Sequence, residues 1–386
     1  MVKLLDITGK AISGEWGTDC DHQDGIPVLR TTNFRNNGTI NYDNVVIRNI
    51  IKDVKNKFLC YGDIIIEKSG GSDKQPVGRV VYFDGKGNRY LFNNFTGVLR
   101  VKNTDRWNPK YIFYALFAAY KRGETRRFEN RTTGLHNLQL DSYVKNFNIQ
   151  EISITYQNKI CDILDNIHHQ IILREKELTH LDDLVKARFV EMFGHMSVDT
   201  TVSDVCSIIT DGTHQPPKFK NEGIPFLFVS NIADNKLTYD TEKFIDEATY
   251  NELIKRTPIE VGDVLLSTVG SYGHPAVVEN KKRFLFQRHI AYLKPNHKKV
   301  GSYYLYASLL SDSVQYQIDT HVKGIAQKTL NLKEIKNLKI PLPSLDEQKM
   351  FTVFFREVNK SKFTIDHCVM IIKKALQSGY HYVWGN

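Results

Sequence analysis

The sequence predicts a mixed α/β fold of the α+β kind, with two β-rich domains separated by a long antiparallel two-helix coiled coil and a pseudo-two-fold internal repeat. Three observations predict it. The segment GIPVLRTTN at residues 25–33 returns as GIPFLFVSN at residues 223–231. Short runs of β-branched or aromatic residues, bounded by Gly, Asp or Asn, occur in both halves. Apolar residues also recur at heptad spacing over residues 156–192.

The repeat extends well beyond its first match. Residues 61–65 (YGDII) correspond to residues 261–265 (VGDVL), and further pairs follow in the same order about 190 to 200 residues apart. The spacing is constant from residue 144 onward. Because loops tolerate length changes and regular elements do not, each copy is predicted to be a globular domain followed by a rigid helical module. The predicted domains are residues 1–150 and 197–342, and the helical modules are residues 151–196 and 343–386.

The globular domains are predicted to be mostly short strands with one internal helix each. Residues 64–67, 79–83 and 97–101 are typical strands of the first domain. Apolar stretches at Tyr111 and Tyr303 predict the two helices, and Pro109 suits the first turn of the earlier one.

The helical modules carry an apolar stripe. In the first module the stripe is Ile160, Leu164, Ile167, Ile171, Leu178, Leu181, Val185 and Met192, and in the second it is Phe351, Phe354, Val358, Val369, Ile372, Leu376 and Val383. A helix over residues 156–192 would be roughly 55 Å long. A long helix with one apolar stripe must bury it, and its own duplicate is the simplest partner. The alternative is that each helix packs separately on its own domain.

Composition favours a soluble protein with an anionic partner. The 52 Lys and Arg against 43 Asp and Glu leave a formal net charge of +9 and a pI near 9.0, which favours nucleic acid. The five cysteines form no Cys-x-x-Cys pair, so neither a disulfide framework nor a zinc site is indicated. The N-terminus does not resemble a signal peptide and no apolar run is long enough to span a membrane. We therefore expect a cytoplasmic location.

A catalytic interpretation has little support in the sequence. Neither a Gly-x-x-x-x-Gly-Lys phosphate loop nor a Gly-x-Gly-x-x-Gly fingerprint is present. Asp63, Glu67 and Lys68 could hold Mg²⁺ in a nuclease, but the internal copy keeps only the first of them, as Asp263. A Gly-Asp before a strand is typical of a turn. We therefore predict no catalytic residues and no metal or cofactor bound by this chain.

Polar and basic loops at matching places in both copies are the remaining candidates for function. Arg and Lys can address guanine, Asn and Gln can bracket adenine, and small hydroxyls can hold phosphates. The predicted DNA contacts of the first domain are Arg30, Thr32, Asn33, Arg35, Lys68, Ser69, Lys74, Arg79, Asn93, Asn94, Arg131, Thr133, His136 and Asn137. Those of the second domain are His214, Ser230, Asn231, Ser267, Ser271, Tyr272, His274, Gln287, Arg288, His289, Lys323, Gln327 and Lys328. Ordinary solvated loops are the alternative for each one taken singly.

The whole chain resembles a known family, the DNA specificity subunits of type I restriction-modification systems. Residues 340–348 (IPLPSLDEQ) resemble the start of the family's conserved helix, and residues 186–194 (KARFVEMFG) resemble its end. The Gly-Thr-His at residues 212–214 and the Lys-Gly at residues 323–324 resemble parts of its target-recognition domains. The first copy departs from the pattern at residues 152–157, which lack the Pro-Leu-Pro.

The resemblance implies a non-catalytic subunit with two target-recognition domains. Each domain would read one half of a split, asymmetric site in double-stranded DNA, and the helical pair would set the gap between the halves. Two methyltransferase subunits, which bind S-adenosylmethionine and methylate adenine, would dock on the scaffold, and restriction subunits that use ATP and Mg²⁺ could join them.

Two alternatives remain at this point. The same architecture could serve a methylation-only or phage-defence complex. From a different class, the chain could be a bivalent RNA-binding protein or a structural coiled-coil scaffold.

Overall fold

The computed structural model describes residues 1–20, 25–73, 75–132, 135–324 and 328–384. The chain divides into two compact units. The first comprises Met1–Arg174 with Cys368–Asn386, and the second comprises Glu175–His367. Each unit contains one globular domain and part of both long helices.

The first globular domain is built from short strands and three helices. Its strands are β1 (Val2–Lys3), β2 (Ile12–Ser13), β3 (Thr18–Asp19), β4 (Ile26–Leu29), β5 (Val46–Asn49), β6 (Ile64–Glu67), β7 (Ser69–Gly71), β8 (Val80–Tyr82), β9 (Leu91–Phe92), β10 (Thr96–Leu99), β11 (Glu129–Thr132), β12 (Leu135–Leu138) and β13 (Asn148–Ile149). Its helices are α1 (Leu4–Thr8), α2 (Pro109–Lys121) and α3 (Leu140–Asn146), and the long helix α4 (Ile154–Phe193) follows.

Two four-stranded sheets form the body of this domain. One is antiparallel with the order β2-β10-β6-β8, and the other has the order β3-β5-β4-β9 with β4 and β9 parallel. Ile65, Val81 and Val98 of the first sheet share a buried core with Leu29 and Phe92 of the second. Helix α2 packs against β8. Asn108 caps α2, because its side-chain oxygen accepts a hydrogen bond from Lys110 N at 2.8 Å.

The second globular domain repeats several of these elements. Its strands are β14 (Thr200–Thr201), β15 (Cys206–Asp211), β16 (Ile224–Leu227), β17 (Phe244–Ile245), β18 (Val264–Ser267), β19 (Pro275–Val277), β20 (Leu285–Phe286), β21 (Ile290–Pro295) and β22 (Lys339–Ile340). Its helices are α5 (Val202–Val205), α6 (Glu247–Leu253), α7 (Ser302–Leu310), α8 (Asp312–His321) and α9 (Leu332–Asn337), followed by the long helix α10 (Leu345–Trp384).

The predicted repeat is confirmed at the level of strand pairing. The antiparallel sheet β15-β21-β18-β19 repeats β2-β10-β6-β8, and the parallel pair β16-β20 repeats β4-β9. The pair β14-β22 repeats β1-β13. The predicted fold class and the strands at residues 64–67, 79–83 and 97–101 are therefore confirmed, with shifts of one or two residues at some ends.

Both long helices are continuous over 40 residues. In the second unit they run antiparallel, because Lys362 of α10 pairs with Asp182 of α4 whereas Phe351 contacts Phe189 further along α4. In the first unit, His168 of α4 lies 2.7 Å from the hydroxyl of Tyr380 near the end of α10.

Aromatic residues bury parts of the helices that the heptad stripe did not mark. Phe189 and Phe193 surround Tyr304 of α7, so the last turns of α4 pack on the second globular domain as well as on α10. In α10, Phe355 is buried instead of Phe354, which is only half buried. The predicted apolar stripe is therefore inaccurate where a long helix packs on a globular domain as well as on the other helix.

A repeated glutamine joins each helix to its domain. Gln157 accepts from Asn108 N at 2.8 Å and donates to Arg106 O and Ile152 O. Gln348 accepts from Gly301 N at 2.8 Å and donates to Lys299 O and Pro343 O. Both side chains are fully buried. The first helix thus begins like the second even though residues 152–157 lack the Pro-Leu-Pro.

Among the described residues, no helix combines the length and apolarity required of a membrane-spanning segment.

Candidate nucleic-acid interface

Three loops of the first domain meet at the turn between β9 and β10. Thr96 N closes this turn by donating to Asn93 O at 3.1 Å. Asn93 N donates to Leu29 O at the end of β4, and Lys68 N donates to Phe95 O at 2.8 Å. The segments around residues 30, 68 and 94 therefore lie together.

Asn33 and Asn231 are buried clamps of equivalent loops. Asn33 is 2% exposed, accepts from Arg30 N at 2.9 Å and donates to Asn41 O at 3.0 Å. Asn231 is 3% exposed, accepts from Phe228 N at 2.9 Å and donates to Asp240 O at 2.7 Å. In this structure both amides hold the loop backbone, which is their physical role in the fold.

Arg79 also supports the first of these loops. Its guanidinium donates to Thr31 O at 2.9 Å and Phe34 O at 3.2 Å, and it pairs with Glu67 at 3.3 Å. Burial raises the pKa of Glu67, and the charge of Arg79 opposes that rise. Arg79 is therefore placed mainly to order the loop between β4 and β5.

A small sheet carries the candidates around residues 68 and 136. Strand β7 pairs with β12, which pairs with β11. His136 is buried in this sheet with its Nδ1 2.9 Å from the Glu129 carboxylate. Asn137, opposite Ser69, is half buried. Burial lowers the pKa of Lys68, against the attraction of Asp141.

A corresponding loop cluster exists in the second domain. Thr268 N donates to His289 O at 2.9 Å, and Leu330 N donates to Thr268 O at 2.8 Å. Arg288 N donates to Thr213 O at 3.0 Å, which adds the Gly-Thr-His segment to the cluster. The structure thus brings together the candidate segments around residues 214, 268, 288 and 328.

Several candidates of this second cluster make side-chain contacts within the domain. Ser267 is buried and accepts from His274 N at 2.9 Å. The Tyr272 hydroxyl donates to Asp319 at 3.0 Å, and the Lys328 ammonium lies 5.8 Å from the Tyr272 ring. His214 lies beside Asp211, which also pairs with Arg256.

Exposure separates the candidates into those that can reach a ligand directly and those that hold the loops. The exposed ones are Thr32, Arg35, Asn94, His214, Ser230, Ser271, Arg288, Lys323 and Lys328. The half-buried ones are Arg30, Lys68, Ser69, Arg79, Asn137, Tyr272, His274, Gln287 and His289, and the buried ones are Asn33, Asn93, His136, Asn231 and Ser267. Lys74, Thr133 and Gln327 lie outside the described residues, and for Arg131 only the backbone position in β11 is described.

Phe95 and a pair of glycines are parts of the clusters that were not predicted. Phe95 is 55% exposed at the corner of the β9–β10 turn. Gly14 and Gly212 lie beneath the equivalent turns, where a Cβ atom would come within 2.1 Å of Asn93 O and 2.2 Å of Phe286 O. The internal repeat pairs Gly14 with Gly212, and this correspondence is the sequence feature from which their shared role could have been predicted.

The acidic residues considered for a nuclease have structural roles. Asp63 is 1% exposed, receives two hydrogen bonds of 2.7 Å from Arg100 and accepts from Cys60 N. Asp263 accepts from the Tyr292 hydroxyl and from Glu260 N, both at 2.7 Å, and burial raises its pKa. Within the described parts of the chain, no cluster of His, Cys, Asp and Glu could hold a metal ion.

A family model described as the type I restriction modification DNA specificity domain matches residues 2–182 and again residues 198–367. The chain belongs to this family. The two matched segments correspond to the two halves of the internal repeat, and each contains one of the loop clusters.

Curated relatives carry the same description. The putative type I restriction enzyme MjaX specificity subunit of Methanocaldococcus jannaschii is 27% identical over 180 residues, which cover 45% of this chain and 42% of the relative. The type I restriction enzyme EcoBI specificity subunit of Escherichia coli is 30% identical over 137 residues, which cover 36% of this chain and 29% of the relative. The matches thus span less than half the length of either relative.

The fold is similar to that of a solved structure, the type I restriction-modification system S subunit from M. genitalium. The TM-score is 0.52 at 15% identity, and the superposition covers 99% of this chain and 94% of the other. At this identity the likeness concerns the fold.

Proposed function

We propose that this chain is the DNA specificity subunit of a type I restriction-modification complex, with no catalytic activity of its own. Each globular domain reads one half of a split, asymmetric site in duplex DNA. The chain thereby directs the methyltransferase and restriction subunits to that site.

The observation that carries this proposal is the presence of the same loop cluster in both family-matched segments with different exposed side chains. Four backbone hydrogen bonds around the turn at residues 93–96 recur around the turn at residues 287–290. The exposed side chains differ, with Asn94 in the first turn and Arg288 in the second. A common backbone that presents different side chains suits two domains that recognise two different base sequences.

Phosphate attraction accompanies base reading in this proposal. Arg35, Lys323 and Lys328 are exposed, and the chain has a net charge of +9. Neutralised phosphates release counterions, so we expect affinity for any DNA sequence to fall steeply with salt. The buried clamps Asn33 and Asn231 would act indirectly, by keeping the loops in place.

Exposed apolar side chains on the long helices support docking of partner subunits. In the first unit they are Tyr156, Ile163, Leu173, Met370 and Ile371, and in the second they are Leu184, Val190, Met350, Val353 and Phe363. Exposed apolar side chains that lie side by side commonly mark protein interfaces. In this proposal one methyltransferase subunit docks on the helices of each unit.

Helix length would set the gap between the two half-sites. Each helix has 40 residues, which corresponds to about 60 Å. A continuous helix is stiff compared with a loop, so it can hold a fixed spacing, as the geometry of dimers does for other DNA-binding proteins.

The proposed complex places all cofactors on other subunits. S-adenosylmethionine would be bound by the methyltransferase subunits, and ATP and Mg²⁺ by restriction subunits. In this chain Asp63 accepts hydrogen bonds from Arg100, and Asp263 accepts one from the Tyr292 hydroxyl.

Methylome sequencing tests the proposal. Cells expressing the chain with its candidate methyltransferase are compared with cells that lack only this chain. A new methylated adenine in a two-part site with a fixed gap is expected. No new methylation from a complex that co-purifies would refute the specificity role.

Exchange of the second domain tests whether each domain recognises its own half-site independently of the other. Residues 197–342 are replaced by the corresponding domain of a relative that methylates a different site. One half-site should change, while the other half and the gap stay the same. A change in both halves would contradict the assignment of one domain to each half-site.

A further inference from the structure

One β-turn has the same place in both domains and shares four backbone hydrogen bonds. In the first domain it joins β9 to β10, with Asn94 and Phe95 at its corners, and Thr96 N donates to Asn93 O at 3.1 Å. In the second it joins β20 to β21, with Arg288 and His289 at its corners. The closing bond there is also 3.1 Å, from Ile290 N to Gln287 O.

Three further hydrogen bonds fix the first turn. Glu15 N donates to Phe92 O at 2.8 Å, Asn93 N donates to Leu29 O at 3.0 Å, and Lys68 N donates to Phe95 O at 2.8 Å. The turn is thus tied to three separate segments of the domain.

The second turn has an equivalent set. Thr213 N donates to Phe286 O at 2.9 Å, Gln287 N donates to Leu227 O at 3.1 Å, and Thr268 N donates to His289 O at 2.9 Å. Four backbone bonds therefore recur in both turns, and the second turn has one more, from Arg288 N to Thr213 O at 3.0 Å. On this shared backbone the two turns present different corner side chains.

A glycine beneath each turn permits this close packing. The Cβ atom of any other residue at position 14 would lie 2.1 Å from Asn93 O, and at position 212 it would lie 2.2 Å from Phe286 O. Gly14 and Gly212 therefore let a neighbouring strand end directly against the turn backbone. A rigid support of this kind is what precise placement of a recognition side chain requires.

The corner side chains have distinct chemistry. Asn94 is exposed, and an Asn amide can bracket adenine N6 and N7. Phe95 is 55% exposed and can contact a thymine methyl group. Arg288 is exposed, and a guanidinium can donate twice to guanine O6 and N7. Burial and the charge of Arg288 lower the pKa of His289, so Arg288 carries the charge of its turn.

We propose that these two turns determine base identity, the β9–β10 turn reading an A·T pair through Asn94 and Phe95 and the β20–β21 turn reading a G·C pair through Arg288. The inference rests on the proposed function, because it takes duplex DNA as the ligand. It goes further in assigning one position of each half-site to one turn and in stating the base pair.

Exchange of the corner residues is the direct test. The first variant carries Asn94→Arg with Phe95→His, and the second carries Arg288→Asn with His289→Phe. Each is expressed with the methyltransferase partner, and its methylated sites are sequenced. The first should replace one A·T pair by G·C in one half-site, and the second should make the opposite change in the other half-site. Unchanged sites in both variants would overturn the proposal.

Single substitutions keep the test decisive if an exchanged turn loses activity. Arg288→Ala should lower discrimination at one G·C position about 5- to 150-fold and leave every other position as it was. Asn94→Ala should do the same at one A·T position. A uniform fall in methylation with unchanged base preference would assign Arg288 to a phosphate and overturn the proposal.

Two controls separate this inference from the proposed function. Arg283→Ala removes an exposed Arg of the same domain that pairs with Glu247, and it should leave the site unchanged. The wild-type chain must itself direct methylation to a two-part site. If it does not, the proposed function fails; if it does and the turn variants keep the same base preferences, the inference about the turns fails alone.

Discussion

Gly14→Ala should disturb the β9–β10 turn without altering any of its corner side chains. The new Cβ would lie 2.1 Å from Asn93 O and 2.4 Å from Phe92 O. To regain an ordinary contact of 3.4 Å, the Asn93 carbonyl has to retreat by about 1.3 Å. By the same reasoning the Phe92 carbonyl has to retreat by about 1.0 Å, which would break the 2.8 Å bond that it accepts from Glu15 N.

The loss of stability in Gly14→Ala follows from the size of the steric overlap. Crowding of this kind costs about 1–3 kcal/mol, and a buried hydrogen bond that is lost contributes about 1 kcal/mol of it. At about 2 kcal/mol, amide hydrogens of the turn should exchange about thirtyfold faster, because each 1.4 kcal/mol is a factor of ten. Recognition of the first half-site should weaken, while the second half-site should be read as before.

Hydrogen–deuterium exchange with mass spectrometry measures the faster amide exchange at the turn. The peptides to follow cover residues 10–16 and 91–99. Gly87→Ala is the matched control, because its Cβ would meet no atom closer than 3.6 Å. Methylation of sites with altered first or second halves gives the functional effect. Wild-type exchange and unchanged discrimination in Gly14→Ala would refute the argument that this glycine positions the turn.

Three further outcomes are expected. Gln348→Ala should lower the unfolding free energy of the second unit by about 2–4 kcal/mol, because three backbone groups lose their hydrogen bonds to a buried side chain. Denaturant unfolding beside the exposed control Lys349→Ala measures this, and equal midpoints would contradict it. Insertion of seven residues after Arg174 in α4 and after His367 in α10 should lengthen the recognised gap by about three base pairs, and an unchanged gap in the methylome would rule out the helices as its determinant. Burial lowers the pKa of His168 below its ordinary 6.5, against the attraction of Asp165 and with smaller contributions from Lys110 and Lys121. The unfolded chain therefore binds the proton more tightly, and the first unit should lose stability as pH falls below that value. Thermal unfolding from pH 7.5 to 5.5 should show a smaller loss in His168→Gln than in the wild type; parallel curves would show that His168 does not contribute.

Regular elements were predictable because their patterns are local. The strand at residues 64–67 is a run of β-branched residues after a Gly-Asp turn, and the helix over residues 156–192 has a heptad stripe, so neither requires knowledge of distant contacts. The helix prediction was less accurate where a second partner packs on it. Phe355 is buried in place of Phe354 because α10 also contacts Tyr303 and Tyr306 of α7, and a heptad pattern describes only one neighbour.

The candidate site was predictable as a set of loops but not as a set of side chains. Thr32 and Asn33 are adjacent and both polar, yet one is exposed and the other clamps the loop from inside. Asn94 is likewise exposed, whereas its neighbour Asn93 is buried. Loop composition indicates that a segment is polar, whereas the direction of each side chain depends on backbone bonds to remote segments.

The amino-acid sequence is sufficient to establish the internal repeat, the two long helices and the resemblance to the family, because each of these follows from periodicity or from the order of matched segments. Which residues face outward in each cluster depends on contacts between segments far apart in the chain, such as the bond from Glu15 to the strand before the β9–β10 turn. Those contacts form only when the sheets pack. The exposure of Phe95 and Arg288, on which the proposed base recognition rests, is therefore a property of the folded domains.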